Sequence, residues 1–285
     1  VKCDGIRLDD IDKTIQQLDS IILAGLEPRI NYNIVPVPIN DSTYVIVIRI
    51  SRSWNGPHRV VFKDNGKFYS RNSSGKYPLD TFDLRTAFTY TQQIEEKINR
   101  FRMERVFEIT ADETPISIGE GAKIILHLIP INAISGNDDY NIKIEETGAG
   151  LFTLWGSFKN HRINFEGLLT YSETRKGKSY VQFYRNGILE SVDTAILAHH
   201  HDDFLIPGLG VEDKIITALK NHLSFYSEKN ITLPILLFIS LLNVKNYSIW
   251  NNKISPFDTN HCIDKENLLL PGILIEDYSK KAEDI

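Results

Sequence analysis

Apolar residues recur at Ile11, Ile15, Leu18 and Ile22, a spacing that puts them on one helical face, and Gly25 supplies a stop. A helix is therefore predicted over Leu8 to Ala24. The pattern then changes period. Ile34 to Ile39 and Tyr44 to Ile50 read as strands around Asn40-Asp41, with Pro36 and Pro38 assigning the first to a sheet edge. Arg59 to Lys63 and Lys67 to Arg71 flank Asp64-Asn65-Gly66, where Asn-Gly favours a primed hairpin turn. Asp80 is placed to cap a short helix reaching Phe88. Thr89 with Gln92 has the spacing of a capping box for a second helix to about Phe107, striped by Ile94, Ile98 and Phe101.

Turn chemistry at Asp112-Glu113-Thr114-Pro115 and Gly119-Glu120-Gly121 predicts a domain boundary between Ile109 and Gly121. Beyond it, Ala122 to Ile131 is almost continuously apolar and reads as a central strand. Ser135 to Gly150 is acidic and reads as a loop. Strands are predicted over Ile163 to Tyr171 and Ser179 to Asp193, the latter bent at Asn186-Gly187. Val211 to Lys229 has helical spacing, with Ile215, Ile216, Leu219 and Leu223 inward. Ile235 to Leu242, Tyr247 to Trp250 and Leu269 to Ile275 complete an α+β pattern in two domains, 1–108 and 109–285.

Charge changes this picture more than composition does. The 285 residues carry a formal net charge of -5, yet Arg49 to Arg105 holds 12 Lys and Arg against 6 Asp and Glu. One part of the chain is poised for a polyanion and the remainder is not. Two cysteines, Cys3 and Cys262, cannot build a disulfide framework, and no export signal opens the sequence, so a cytoplasmic location is expected. The longest apolar run, Ile235 to Leu242, is too short for a bilayer, and no membrane partner is expected. The chain opens on Val1 and its one methionine is Met103, which predicts a processed chain or a part of something longer.

Candidate chemistry gathers in the basic stretch. Arg52, Trp54, His58, Arg59, Lys67, Tyr69, Arg71 and Lys76 interleave cations with aromatic rings. Lys and Arg neutralise phosphates, and Trp54 or Tyr69 offers a stacking face, which together suit a nucleic acid. Against this, Phe68 and Tyr69 alternate, so one of them must face inward. The run His199-His200-His201-Asp202-Asp203 is read as a polar loop, because adjacent side chains point apart and no second ligand cluster stands near it. His127, inside an apolar strand, is read as a core histidine. Arg102 and Arg105 share a helical face and either continue the basic surface or, the preferred reading, pair with Glu104, Glu108 and acidic loops of the second domain. No Gly-x-Ser-x-Gly nucleophile elbow is present, and no catalytic or metal-ligating residue is assigned.

Several segments, in this order, resemble the Schlafen AlbA-like domain family. They are Gly25-Leu26-Glu27-Pro28-Arg29-Ile30, the strand ending Arg49-Ile50-Ser51-Arg52-Ser53, Pro57-His58-Arg59-Val60, Phe68-Tyr69-Ser70-Arg71-Asn72 and Leu84-Arg85-Thr86-Ala87-Phe88. Arg100 to Arg105 with Leu126-His127-Leu128-Ile129-Pro130 is similar to longer bacterial members in which a second α+β domain follows. The resemblance implies an incomplete AlbA-like domain over 1–108 with a second mixed domain after it. It also implies a nucleic-acid-binding function, DNA or RNA, through the Arg52 to Arg59 loop and the hairpin to Lys76. A second implication is a metal-dependent nuclease acting on RNA in phage defence. Its carboxylates and divalent metal would belong to a segment preceding Val1, since the acidic segments of the family's nucleases have no counterpart here. ATP hydrolysis is rejected, because no Gly-x-x-x-x-Gly-Lys-Ser/Thr loop is present. A third reading is a scaffold whose second domain mediates assembly, as an oligomer or with a protein partner.

Overall fold

A computed structural model describes residues 5–30, 32–40, 42–50, 53, 55–63, 65–135, 140, 151–154, 160–174, 177–197, 204–250 and 262–285. The chain is α+β and forms two compact units, Val1–Glu96 and Lys97–Ile285.

The first unit opens with β1 (Ile6–Arg7) and α1 (Ile11–Gly25). Asp10 caps the helix, its carboxylate accepting from the Lys13 N–H at 2.9 Å. The half-buried side of α1 carries Ile11, Ile15, Leu18 and Ile22, the stripe expected from the sequence. The strands β2 (Leu26–Glu27), β3 (Tyr32–Asn40), β4 (Thr43–Ile50), β5 (Arg59–Phe62), β6 (Asn65–Asn72) and β7 (Gly75–Pro78) follow. They form two sheets, ordered β1-β4-β3 and β2-β5-β6-β7. β3 is an end strand, where Pro36 and Pro38 cost the ladder least because neither has an N–H to donate. Tyr32 on β3 donates to Asp19 of α1 at 3.0 Å and ties the helix to this sheet.

Two local expectations give way here. The hairpin turn precedes Asn65: Phe62 faces Asn65, Lys63 takes φ 48°, and Asn65 and Gly66 already belong to β6. Gly66 is needed for a different reason. A Cβ there would stand 2.8 Å from the Arg59 side chain that lies across it. The expected pair of helices is instead one, α2 (Thr81–Thr110). Asp80 caps it as expected, accepting from Asp83 N–H at 2.8 Å. Thr89 starts nothing; its hydroxyl donates back to Arg85 O at 2.9 Å, a bond that lets threonine sit inside a helix. The division between the units falls within α2, earlier than the boundary expected at 108/109, because Ile98, Val106 and Ile109 are buried in the second unit.

The second unit is built on an eight-stranded antiparallel sheet. Its strands are β8 (Lys123–Pro130), β9 (Asn160–Ile163), β10 (Gly167–Thr174), β11 (Gly177–Tyr184), β12 (Leu189–Asp193), β14 (Ile235–Leu242), β16 (Leu268–Leu269) and β17 (Ile273–Ile275). A short parallel pair, β13 (Leu205–Pro207) and β15 (Ser248–Trp250), stands apart, with the short helix α3 (Ile131–Ser135) and the long α4 (Gly208–Glu228) between strands. The order β16-β14-β8-β12-β11-β10-β9 puts β8 at the centre, and every one of its residues is buried. Its apolar run carries no alternation because both of its faces are covered. On one face α2 lays Val106 and Ile109 against Ile125, Leu169, Tyr180 and Val192. On the other, α4 lays Ala218, Leu219 and Leu223 against Leu126, Leu128 and Phe183. Each fully buried aliphatic side chain of this kind contributes about 2 kcal/mol.

Two predicted strands are each a hairpin. β9 and β10 divide Ile163 to Tyr171 around Asn164, whose side-chain Oδ1 accepts from Gly167 N–H at 2.8 Å. β11 and β12 divide Ser179 to Asp193 at Gly187, where φ is 92°. The expected strand Leu269 to Ile275 is two, β16 and β17, which both pair with β14. The loop expected over Ser135 to Gly150 lies mostly outside the described residues. α4 begins at Gly208, with Pro207 at its N-cap. No helix among the described residues is long and apolar enough to cross a membrane.

Candidate nucleic-acid interface

The register of β5, β6 and β7 decides which of the candidate residues stand together. Lys67, Tyr69 and Arg71 occupy alternate positions of β6 and so share one face. Arg71 pairs with Lys76 across β6 and β7, which brings that cation to the same face, and Lys67 pairs with Val60. Phe68 points the other way, into an edge-to-face contact with Phe88 of α2 at 6.0 Å between ring centres. The question left by the Phe68-Tyr69 alternation is thereby answered: Phe68 faces inward and Tyr69 outward.

On the outer face Phe62, Lys67, Tyr69, Arg71 and Lys76 are exposed and Val60 is half-buried. The Lys76 ammonium lies 5.5 Å above the Tyr69 ring, within cation–π range. Phe62, at the end of β5, belongs to the same face and is covered in the same way by Lys63 at 5.4 Å. Sequence reasoning passed over Phe62 and Lys63. The signal was present in the alternation of Val60 and Phe62, which puts Phe62 in step with the basic residues once the hairpin register is known. Among the described residues of these strands, this face carries cations and no carboxylate.

Arg59 and His58 are placed differently. Arg59 pairs with Phe68 and therefore lies on the opposite face, where its guanidinium meets Glu27 of β2 at 2.7 Å. Both partners are exposed, so the pair contributes at most about 1 kcal/mol. The His58 Nδ1–H donates to Pro28 O at 2.7 Å, which fixes the ring against the segment that follows β2. Arg52 and Trp54 lie outside the described residues, as does the His199 to Asp203 run.

A second concentration of charge is in the second unit and is internal. Glu190 on β12 is completely buried. Arg105 grips its carboxylate with Nε and Nη2, both at 2.8 Å; His127 Nε2 lies 2.9 Å away and the Tyr180 hydroxyl 2.8 Å. Burial pushes the Glu190 carboxyl up, but the His127 and Arg105 hydrogen bonds and the Arg105 charge outweigh it and hold the group at about 2. Arg105 also bonds Glu108, one of the partners expected for it. Arg102, expected beside acidic groups, instead donates to Ser240 Oγ at 2.9 Å and Ile239 O at 3.0 Å and stacks on Phe238. Both oxygens of Glu190 are occupied by donors, so the cluster locks α2 to the sheet and offers no free lone pair to a substrate. Elsewhere among the described residues, no three His, Cys, Asp or Glu side chains are arranged to hold a metal ion.

The exposed face thus alternates cations with aromatic rings along the hairpin. Residues 2–80, which include this hairpin, match the family model described as Schlafen, AlbA_2. This N-terminal stretch is similar to a Schlafen AlbA_2 domain. Comparison with curated proteins and with solved structures finds no match.

Proposed function

We propose that the chain binds nucleic acid through the outer face of β5–β7. The observation that carries this reading is the placement of Lys67, Tyr69, Arg71 and Lys76 on one exposed face of the hairpin. The Schlafen AlbA_2 match over the same residues supports a nucleic-acid-related role. Lys67, Arg71 and Lys76 neutralise backbone phosphates and release their counterions, while Tyr69 contributes a ring. Arg59, turned to the other face and held by Glu27, is outside this contact set. Such a ligand fits a cytoplasmic protein whose cysteines need no oxidising partner.

The test is fluorescence anisotropy with labelled DNA and RNA at several salt concentrations. If all three cations contact phosphate, replacing Lys67, Arg71 and Lys76 together by Ala flattens the log–log salt slope by about two to three units. Thermal unfolding should be unchanged, since all three side chains are exposed. A folded triple variant that binds with the parent's slope overturns the reading.

A further inference from the structure

Two rings, not one, stand on the proposed binding face. Phe62 pairs with Asn65, four residues before Tyr69 on the neighbouring strand, which sets the rings roughly 14 Å apart along the hairpin. Phe62 is 69% exposed and Tyr69 38%. A phenylalanine this bare at a strand end adds nothing to a core. Each ring carries a lysine ammonium over it, and Lys67 and Arg71 stand beside them. Rings and cations therefore alternate over a length greater than a single base would cover.

We propose that this face takes a single strand of nucleic acid in preference to a duplex, with one base stacked on Phe62 and another on Tyr69. The proposal rests on the nucleic-acid reading above and deepens it. An aromatic ring accepts the flat side of a base, and only an unpaired, unstacked base presents that side; a duplex offers edges and phosphates. Charge complementarity selects the occupant. An apolar partner docking on Phe62 and Tyr69 would also bury Lys67, Arg71 and Lys76, and the described residues of this face supply no carboxylate to pair them. A single strand supplies phosphates for those cations and bases for the rings. Lys63 and Lys76, which cover the rings in the free protein, swing to the phosphates as the bases take their places.

The experiment uses the full chain and two probes, an oligothymidine and a hairpin duplex, each of about twelve nucleotides per strand. Phe62→Ala, Tyr69→Ala and Tyr69→Phe are compared with the parent across a salt series, with thermal unfolding recorded alongside. Phe62→Ala and Tyr69→Ala should each weaken oligothymidine binding roughly 5- to 100-fold. Their salt slopes should match the parent's, because stacking releases few counterions. Tyr69→Phe should keep the parent's affinity, and duplex binding should change little in all three. Phe62→Ala removes an exposed side chain and leaves the fold intact, so it decides the matter even if Tyr69→Ala lowers the melting temperature. If Phe62→Ala binds oligothymidine like the parent while the Lys67–Arg71–Lys76 variant loses affinity, the stacking proposal falls and the nucleic-acid reading stands. A parent that prefers the duplex overturns the proposal in the same way. A parent that binds neither probe overturns both.

Discussion

Buried ionisable side chains set how the second unit responds to acid, and two of them act in opposite directions. His222 on α4 is fully buried, its Nε2–H donating to Phe152 O at 3.1 Å, and burial lowers it to about 4 from 6.5. Asp193 ends β12 with Oδ1 accepting from the N–H groups of Ala195 and Ile196, and burial raises it to about 6 from 3.8. Between pH 4 and 6.5 the unfolded chain holds the His222 proton that the folded one rejects, so this residue makes stability rise with pH. Between pH 3.8 and 6 the folded chain holds the Asp193 proton that the unfolded one has lost, so this residue makes stability fall. Each effect is on the order of 3 kcal/mol over its window, and the two nearly cancel from pH 4 to 6. We expect His222→Gln to expose the falling limb and Asp193→Asn the rising one. Urea unfolding at a series of pH values reads both. Parallel curves for parent and variants would mean that neither group titrates as its burial dictates. None of this was legible in the sequence, since neither residue's burial follows from its neighbours along the chain. The Arg105–Glu190 pair was hidden in the same way: the partners are far apart along the chain, and only Glu108, a helical neighbour of Arg105, could be anticipated.

Elements whose burial follows a simple period were legible. α1 showed its stripe, α4 its inward Leu219 and Leu223, and β8 its two-sided burial. Elements defined by what meets them were not. Asn65-Gly66 has turn chemistry, but Phe62 already pairs with Asn65 and the hairpin turns before it, while Gly66 makes room for the Arg59 side chain. Thr89 has capping-box spacing, but nothing interrupts α2 at that point. The segment from Ile109 to Gly121 reads as an exposed connection and is in fact anchored. Ile109 and Ile118 are buried in one cluster, and Asp112 accepts from Ser117 Oγ and from the N–H groups of Ile118 at 2.7 Å and Gly119 at 3.0 Å. These bonds hold the Asp112 carboxyl below its usual range. Asp112 also takes φ 59°, a conformation aspartate tolerates better than alanine. We expect the parent to resist limited proteolysis in this window and Asp112→Ala to open it, at a cost of about 1–3 kcal/mol. Rapid cleavage of the parent between 109 and 121 would show that the anchors do not hold.

At the scale of the whole chain the two units differ in how much they bury. Ile94 is the one buried residue among those whose burial is described in the first unit, whereas the second unit packs three apolar clusters around its sheet. The row of cations on β6 and β7 was legible because it needs only a strand's alternation and a run of like charges; which residues would be left bare was not. Val35, Val37 and Val47 stand exposed side by side on β3 and β4. A bare β-branched surface next to an open sheet edge invites identical chains to add strand upon strand. Pro36 and Pro38 sit on that edge strand, and an incoming chain finds donors missing at alternate positions. We expect the two prolines to guard against aggregation, a task separate from folding. Pro36→Val with Pro38→Val should leave the nucleic-acid binding proposed above unaltered in dilute solution and make the protein associate as it is concentrated. Light scattering across a concentration series would register that change, and variants that scatter no more than the parent would remove the prolines' protective role.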